Sequence, residues 1–459
     1  MVRKDRIKAK KVSVFGMARS GMAVARLLKK NGAYVFVTDT KKEADLSSEI
    51  EELRSLNIDF EAGSHSERAL EQKDYVVLSP GINPDIPILK QAQEAGIPIF
   101  SEIEVAFWLC PAQIVGITGS NGKTTTCTLL GEILRKEKRE CQVAGNIGVP
   151  FSSVVEKVSS LATVVLELSS FQLEKIEEFK PEVAALLNIS PDHLDRYPDL
   201  DTYSEAKFRI FQNQSSADFA VLNMDDNGSR KAADGCDAQT IFFSTERELA
   251  KGSFVKDGKL VLRFNGGTEE ITDLEQIGIK GPHNLSNAAC ACCVSAALGV
   301  TKEAIGETLK SFRGVEHRLE EVKIISGIRF VNDSKATNVK SVWYALDSIP
   351  EPILLIAGGR DKGGDFTQLR QKAKEKLKRL ILIGEAKKKI DEALGDLVES
   401  VWVDTLEQAV KKACQLASPG ECVLLSPGCA SFDMFENYEH RGRVFKSTVR
   451  ELNGSEKND

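Results

Sequence analysis

The stretch 114–126, Ile-Val-Gly-Ile-Thr-Gly-Ser-Asn-Gly-Lys-Thr-Thr-Thr, runs from an apolar strand through a glycine-rich turn into a helix start. A strand, loop and helix in that order make a specific demand. Backbone N–H groups of the loop and of the helix N-terminus converge on one anion, Lys123 adds a point charge, and the Thr124 hydroxyl can reach Mg²⁺. A nucleoside triphosphate is the natural ligand, so Gly119, Ser120, Asn121, Gly122, Lys123, Thr124 and Thr125 are candidate phosphate ligands. The strict phosphate-loop pattern is not met. Ile117 stands where its first glycine would, and the glycines fall at 116, 119 and 122. A turn capping an ordinary helix would share some of these residues; the strand before and Gly-Lys-Thr after favour phosphate.

One such unit cannot account for 459 residues, which call for two to four domains of about 100–200 residues each. Strand and helix patterns alternate in three blocks, predicting an α/β protein of three domains. The expected divisions are 1–107, 108–313 and 314–459. The first block opens with Lys11-Val-Ser-Val-Phe-Gly16 and continues with strands at 34–38 and 75–79. The second places strands at 114–118, 163–168, 183–189, 219–223 and 241–244. Around Asp257-Gly258 it changes to a small antiparallel meander, and a helix follows from near Asn284 to near Gly299. The third has strands at 328–332, 353–357, 380–383, 401–403 and 423–425, again a doubly wound pattern.

Net charge is −6, which gives no broad attraction to nucleic acid. No apolar run approaches the roughly 18 residues that span a bilayer. A cytoplasmic, monomeric protein acting on small molecules is expected. Of ten cysteines, Cys290 and Cys293 form a C-x-x-C in a stretch of small residues, without a second pair at zinc spacing. They are expected to pack as small hydrophobes.

In the first block, Gly16-Met-Ala-Arg-Ser-Gly21 has Ala18 where a dinucleotide fingerprint needs glycine, which weakens an NAD reading. Asp39, ending the second strand, stands where a ribose-binding acid would. Ser79-Pro-Gly-Ile82 is a tight turn whose Gly81 leaves backbone open to a ligand; a plain turn fits equally well. In the second block, Glu167 ends an apolar strand, where a carboxylate can hold the Mg²⁺ of a bound triphosphate. His193 is flanked by Asp192 and Asp195, and Lys207 lies on the helical stretch beyond Tyr197.

Together these segments resemble the Mur ligases of peptidoglycan synthesis, over essentially the whole chain. The resemblance rests on Gly119-Ser-Asn-Gly-Lys-Thr-Thr125, Glu167-Leu-Ser-Ser-Phe-Gln-Leu173, Asp192-His-Leu-Asp-Arg-Tyr197 and Ala206-Lys-Phe-Arg-Ile210. It continues through Gly281-Pro-His-Asn-Leu-Ser-Asn287, His317-Arg318, Asn332-Asp-Ser-Lys-Ala-Thr-Asn338, Gly358-Gly-Arg-Asp-Lys362 and Ser426-Pro-Gly-Cys-Ala-Ser-Phe-Asp433. The branch most resembled joins D-glutamate to UDP-N-acetylmuramoyl-L-alanine at the expense of ATP. The Asp-Asn-Pro-Arg signature of the diaminopimelate-adding branch is not found.

The resemblance implies roles. Two Mg²⁺ sites would use Thr124 and Glu167, and His193 with a CO₂-derived carbamate on Lys207. Lys123, His193, Lys207 and Lys335 would serve catalysis. Asn284 and Asn287 would meet adenine, and Arg318 and Asp333 phosphate and ribose. Arg19, Ser20, Asp39, Thr40 and Gly81 would hold the uridine end, with Asn146 near the acyl group. Thr337, Lys362, Ser431, Phe432 and Tyr438 would form the D-glutamate pocket. Ser120 and Tyr438 replace the more frequent Thr and Phe. Competing readings are a sister amide ligase, an NAD-dependent oxidoreductase and a nucleotide switch that ligates nothing.

Overall fold

A computed structural model describes residues 3–146, 148–191, 196–361 and 363–452. The chain divides into two compact units, Met1–Phe312 and Arg313–Asp459. Three α/β sheets make up the fold, two in the first unit and one in the second.

The first sheet orders its strands Asp59–Ala62, Tyr34–Asp39, Lys11–Phe15, Tyr75–Leu78, Ile99–Ser101, all parallel. Its order reverses between Lys11–Phe15 and Tyr75–Leu78, opening a crevice at the strand ends where ligands of such sheets lie. Gly16 starts the turn into the helix Arg19–Lys30 with φ +98°. A β-carbon on Gly21 would sit 1.8 Å from the Gly16 carbonyl oxygen, so only glycine lets the helix approach this closely.

The central sheet runs Gly267–Asp273, Lys259–Phe264, Gly252–Lys256, Gln239–Ser244, Phe219–Asn223, Val183–Leu186, Gln113–Thr118, Thr163–Glu167, Cys141–Gly145. It is parallel except for the last hairpins, as the alternation around Asp257-Gly258 predicts. Asp257 and Gly258 both take positive φ, +49° and +72°, the geometry that matches a hairpin turn to strand twist. Several predicted boundaries shift by about one to three residues, and two of the shifts have a clear cause. The strand expected to reach 189 ends at Leu186, because the Asn188 backbone leaves the ladder to accept from Ser120 N–H. The helix predicted from Asn284 begins at Pro282, whose missing N–H costs nothing in a first turn. Cys290, Cys292 and Cys293 are fully buried along that helix.

The first two sheets belong to one unit for a visible reason. The expected division at 107/108 falls inside the helix Glu102–Leu109, which is almost wholly buried. Buried Glu104 accepts from the backbone N–H groups of Glu177, Glu178 and Phe179 and from the Trp108 indole. Such hydrogen bonds satisfy a carboxylate that would otherwise be costly to bury.

The second unit holds the third sheet, ordered Glu320–Ile325, Ile328–Asn332, Cys422–Leu425, Ile353–Gly358, Leu377–Ile383, Ser400–Trp402. Only the first pair is antiparallel. Apolar clusters on both faces, one around Leu346, Leu355 and Leu382 and one around Ile356, Ile381 and Phe445, make it a covered sheet.

Candidate active site

The phosphate loop emerges from Gln113–Thr118, flanked by Thr163–Glu167 and Val183–Leu186, and enters the helix Lys123–Lys136. Gly122 caps that helix at φ +87°, and a β-carbon there would lie 2.2 Å from the Asn287 amide oxygen. The loop is braced from below. Asn121 N–H donates to the Asn188 side chain at 2.9 Å, and the Asn188 amide returns a bond to the Asn121 carbonyl at 3.2 Å. Ser120 Oγ accepts from Ser190 N–H at 2.9 Å, donates to Ser190 O at 3.0 Å, and lies 3.2 Å from the Tyr203 hydroxyl. The Lys123 ammonium donates to the Gly119 and Ser120 carbonyls at 2.7 and 3.0 Å. Thr124 and Thr125 are buried in the first turn.

Glu167, 3% exposed, ends the neighbouring strand, in register with Ile117. The Asn146 side chain donates to its Oε1 at 3.1 Å, and Asn146 N–H to its carbonyl at 2.8 Å. Lys207, 1% exposed on the helix Leu200–Phe208, donates from Nζ to the Gly119 carbonyl at 3.1 Å, and its nitrogen lies 4.6 Å from the Tyr203 ring centroid. Strand end, loop and helix thus bring Lys123, Thr124, Asn146, Glu167 and Lys207 to one end of the sheet. Asn287 joins them from beneath Gly122, with Asn284 one turn earlier accepting from its amide at 3.4 Å. A hydroxyl and a buried carboxylate are hard oxygen donors, the set Mg²⁺ takes. His193 and Lys362 lie outside the described residues.

At the first sheet, Arg19, Thr40 and Gly81 are exposed and Ser20 partly so. Asp39 is buried, and its two oxygens accept from Met17 N–H at 2.7 Å and Lys41 N–H at 2.9 Å. Its carboxylate pins the loop after Phe15, which borders the crevice, to the turn that follows Asp39 itself. The Arg19 guanidinium donates to the Gly148 carbonyl at 3.4 Å.

In the second unit, Asp333 follows the strand Ile328–Asn332 and is buried, accepting from Ser426 Oγ at 2.8 Å and Leu319 N–H at 3.3 Å. Burial raises its carboxyl from 3.8 to about 7, against the pull of the Arg318 charge. Arg318 itself sits between His317 and Leu319, both at positive φ. Lys335 places its ammonium 5.9 Å from the Tyr438 ring centroid. Ser431 is buried, Thr337 and Tyr438 partly exposed, and Phe432 open to solvent.

Sequence reasoning missed Arg441. Only 1% exposed, it donates to Ser334 Oγ at 3.0 Å, Ser334 O at 2.8 Å and Cys429 O at 3.2 Å, and burial pushes its guanidinium pKa down to about 10. It ties the 333–337 loop to the turn before Ser431. The signal was present: Arg441 shares the apolar i, i+4, i+8 face of Phe445 and Val449.

Three family descriptions match in order: Mur ligase MurD-like, N-terminal domain, over 10–101; Mur ligase middle domain over 117–295; and Mur ligase, glutamate ligase domain, over 317–429. The chain belongs to the Mur ligase family. It is 44% identical over 451 residues to the UDP-N-acetylmuramoylalanine--D-glutamate ligase of Koribacter versatilis, covering 98% of this chain and 99% of that one. To the ligase of the same name from Geotalea uraniireducens it is 47% identical over 443 residues, covering 96% and 98%. Among solved structures, MurF from Acinetobacter baumannii superposes with a TM-score of 0.60 at 16% identity, covering 98% and 93%. UDP-N-acetylmuramate-alanine ligase from Thermotoga maritima gives 0.58 at 20%, covering 96% and 99%. These two share the fold. Within this Mur ligase, the phosphate-loop strand and the Glu167 strand are adjacent members of the middle-domain sheet.

Proposed function

We propose that this Mur ligase joins D-glutamate to UDP-N-acetylmuramoyl-L-alanine with cleavage of ATP to ADP and phosphate, as a step in peptidoglycan precursor synthesis. The observation that carries this is near full-length identity of 44–47% to ligases of that name, in a chain whose phosphate loop, buried acid and buried lysine share one sheet end.

The substrate carboxylate oxygen attacks the γ-phosphorus, the bond to ADP breaks, and an acyl phosphate forms. The D-glutamate amine then attacks the acyl carbon, loses a proton, and phosphate leaves. The barrier is repulsion between a carboxylate and a triphosphate. Loop N–H groups and Lys123 act against it by stabilising charge where it accumulates. Thr124 and Glu167 would hold Mg²⁺, which screens the same charge when bound. A second site would use His193 and a carbamate formed from Lys207 and CO₂. Support for the carbamate is chemical: an ammonium so deeply buried beside the loop is costly, whereas a carbamate offers metal an anionic oxygen. Asn146 would orient Glu167 and the acyl end. Asn284, Asn287, Arg318 and Asp333 would take the nucleoside, and Lys335, Thr337, Lys362, Ser431, Phe432 and Tyr438 the incoming amino acid. The first sheet would bind the uridine end through Arg19, Ser20, Asp39, Thr40 and Gly81. Domains 1–107, 108–313 and 314–459 would thus divide the work. No helix among the described residues is long and apolar enough to cross a membrane; we place the enzyme in the cytoplasm, as a monomer.

The test is phosphate release from ATP with UDP-N-acetylmuramoyl-L-alanine and, separately, D-glutamate, L-glutamate, D-lysine or meso-diaminopimelate, with product masses. Release with D-glutamate and a product heavier by one glutamyl unit is expected. Release only with another amino acid would move the specificity, and none at all would leave a nucleotide switch.

A further inference from the structure

The turn Ser79–Ile82 is held by a residue for which the reaction has no chemical use. Arg196 lies on the central-sheet side of the first unit, with its side chain 17% exposed. Its guanidinium carbon is 4.1 Å from the Phe171 ring centroid, and Nη2 donates to Glu174 Oε2 at 2.7 Å. The other Glu174 oxygen accepts from the Tyr197 hydroxyl, and Tyr197 stacks on Phe171 at 5.9 Å with 13° between the rings. Ring face and carboxylate therefore fix the plane of the guanidinium. From that plane Nη1 reaches two carbonyls of the turn, Pro80 O and Ile82 O, each at 3.4 Å.

Those two carbonyls flank Gly81. In a trans peptide the N–H points opposite to the C=O, and the chain has no cis peptide among its described residues. Turning Pro80 O and Ile82 O toward Arg196 therefore turns the N–H groups of Gly81 and Asn83 away from it. Nothing lies within 4 Å of where a Gly81 β-carbon would be, so the turn is open at the Gly81 α-carbon. The turn is closed internally by Ile82 N–H to Ser79 O at 3.0 Å, and Ser79 Oγ donates to the Gly16 carbonyl at 3.3 Å. The same turn thus borders the loop into the helix Arg19–Lys30.

We propose that Arg196 is a positioning residue for the UDP substrate, aiming the Gly81 turn of the first sheet from an anchor on the central sheet. This rests on the functional reading above. The Arg196 charge is balanced by Glu174, so its effect is geometric. It needs a planar fork that serves a carboxylate and two carbonyls at once, which a lysine ammonium cannot do. Arg196 also follows directly on the segment containing His193, so the anchor of the uridine turn and that segment share one stretch of chain.

The experiment is calorimetric titration of UDP-N-acetylmuramoyl-L-alanine into the nucleotide-free full-length enzyme, with KM measured for each substrate. Arg196→Lys, with an unchanged Tm, is expected to bind the UDP substrate on the order of tenfold more weakly. Its KM for that substrate should rise in parallel, while KM for ATP and D-glutamate stays put. Glu174→Gln, which frees the fork without deleting it, should show a smaller shift of the same kind. Should Arg196→Ala fail to fold, these two variants decide. Equal binding by Arg196→Lys and the parent, or a matching rise in KM for ATP, would overturn the proposal. A parent enzyme that forms no glutamyl product would instead sink the functional reading, and this inference with it.

Discussion

Asp333 shows what burial does to one side chain. Its folded carboxyl holds a proton up to about pH 7, whereas in the unfolded chain it ionises near 3.8. Between those values the folded state binds more protons than the unfolded one, so stability falls with rising pH. This contribution is complete below about pH 4 and lost as pH passes through 7. Asp333→Asn should remove the dependence. In urea titrations followed by the emission of Trp343 and Trp402, the parent midpoint should drop from pH 5 to pH 8 more than the variant midpoint. Equal drops would refute the assignment. Lys207 makes a second residue-scale prediction. If it works as a carbamate, exhaustive removal of CO₂ should lower activity and bicarbonate should restore it, with Lys207→Ala unresponsive. Unchanged activity without CO₂ would exclude the carbamate.

At the scale of elements, the phosphate loop depends on what lies under it. Gly122 needs φ +87° and leaves 2.2 Å between a new β-carbon and the side-chain amide oxygen of Asn287, which must move. Gly122→Ala should cost stability of roughly 1–3 kcal/mol for the backbone strain. It should also slow phosphate release about a hundredfold by displacing the loop. Gly63→Ala is the control, since Gly63 has φ +93° but open space around it. It should share the stability loss and keep the rate. The loop itself was legible because glycine spacing and Gly-Lys-Thr are local signals. The bracing of Ser120 and Asn121 by Asn188, Ser190 and Tyr203 was not, because those partners come from sequence separations of 67–83 residues.

At the scale of the molecule, burial at Glu102–Leu109 decides what can fold alone. A fragment 1–312 should unfold in one cooperative urea transition followed by far-ultraviolet circular dichroism. A fragment 1–107 should show none, because it cuts a buried helix and strips Glu104 of its three backbone donors. In the whole chain, Glu104→Ala leaves those N–H groups without their acceptor, each costing about 1–3 kcal/mol. A cooperative 1–107 fragment would show that the two sheets are separable after all.

Periodicity and turn chemistry determined most strands, the hairpin at Asp257-Gly258, the phosphate loop and the α/β class, because each depends on residues within a few positions of one another. The ordered motifs likewise carried the resemblance to Mur ligases. Tertiary structure alone decided which buried and half-buried charges are satisfied and by whom: Asp39 spent on two loop N–H groups, Arg441 on carbonyls and a serine hydroxyl, Arg196 on Glu174 and a turn 114–116 residues away, Glu104 on three successive amides. A charged side chain reads as surface in a sequence. Only the folded chain shows that its hydrogen bonds are made inside, where water no longer competes for them.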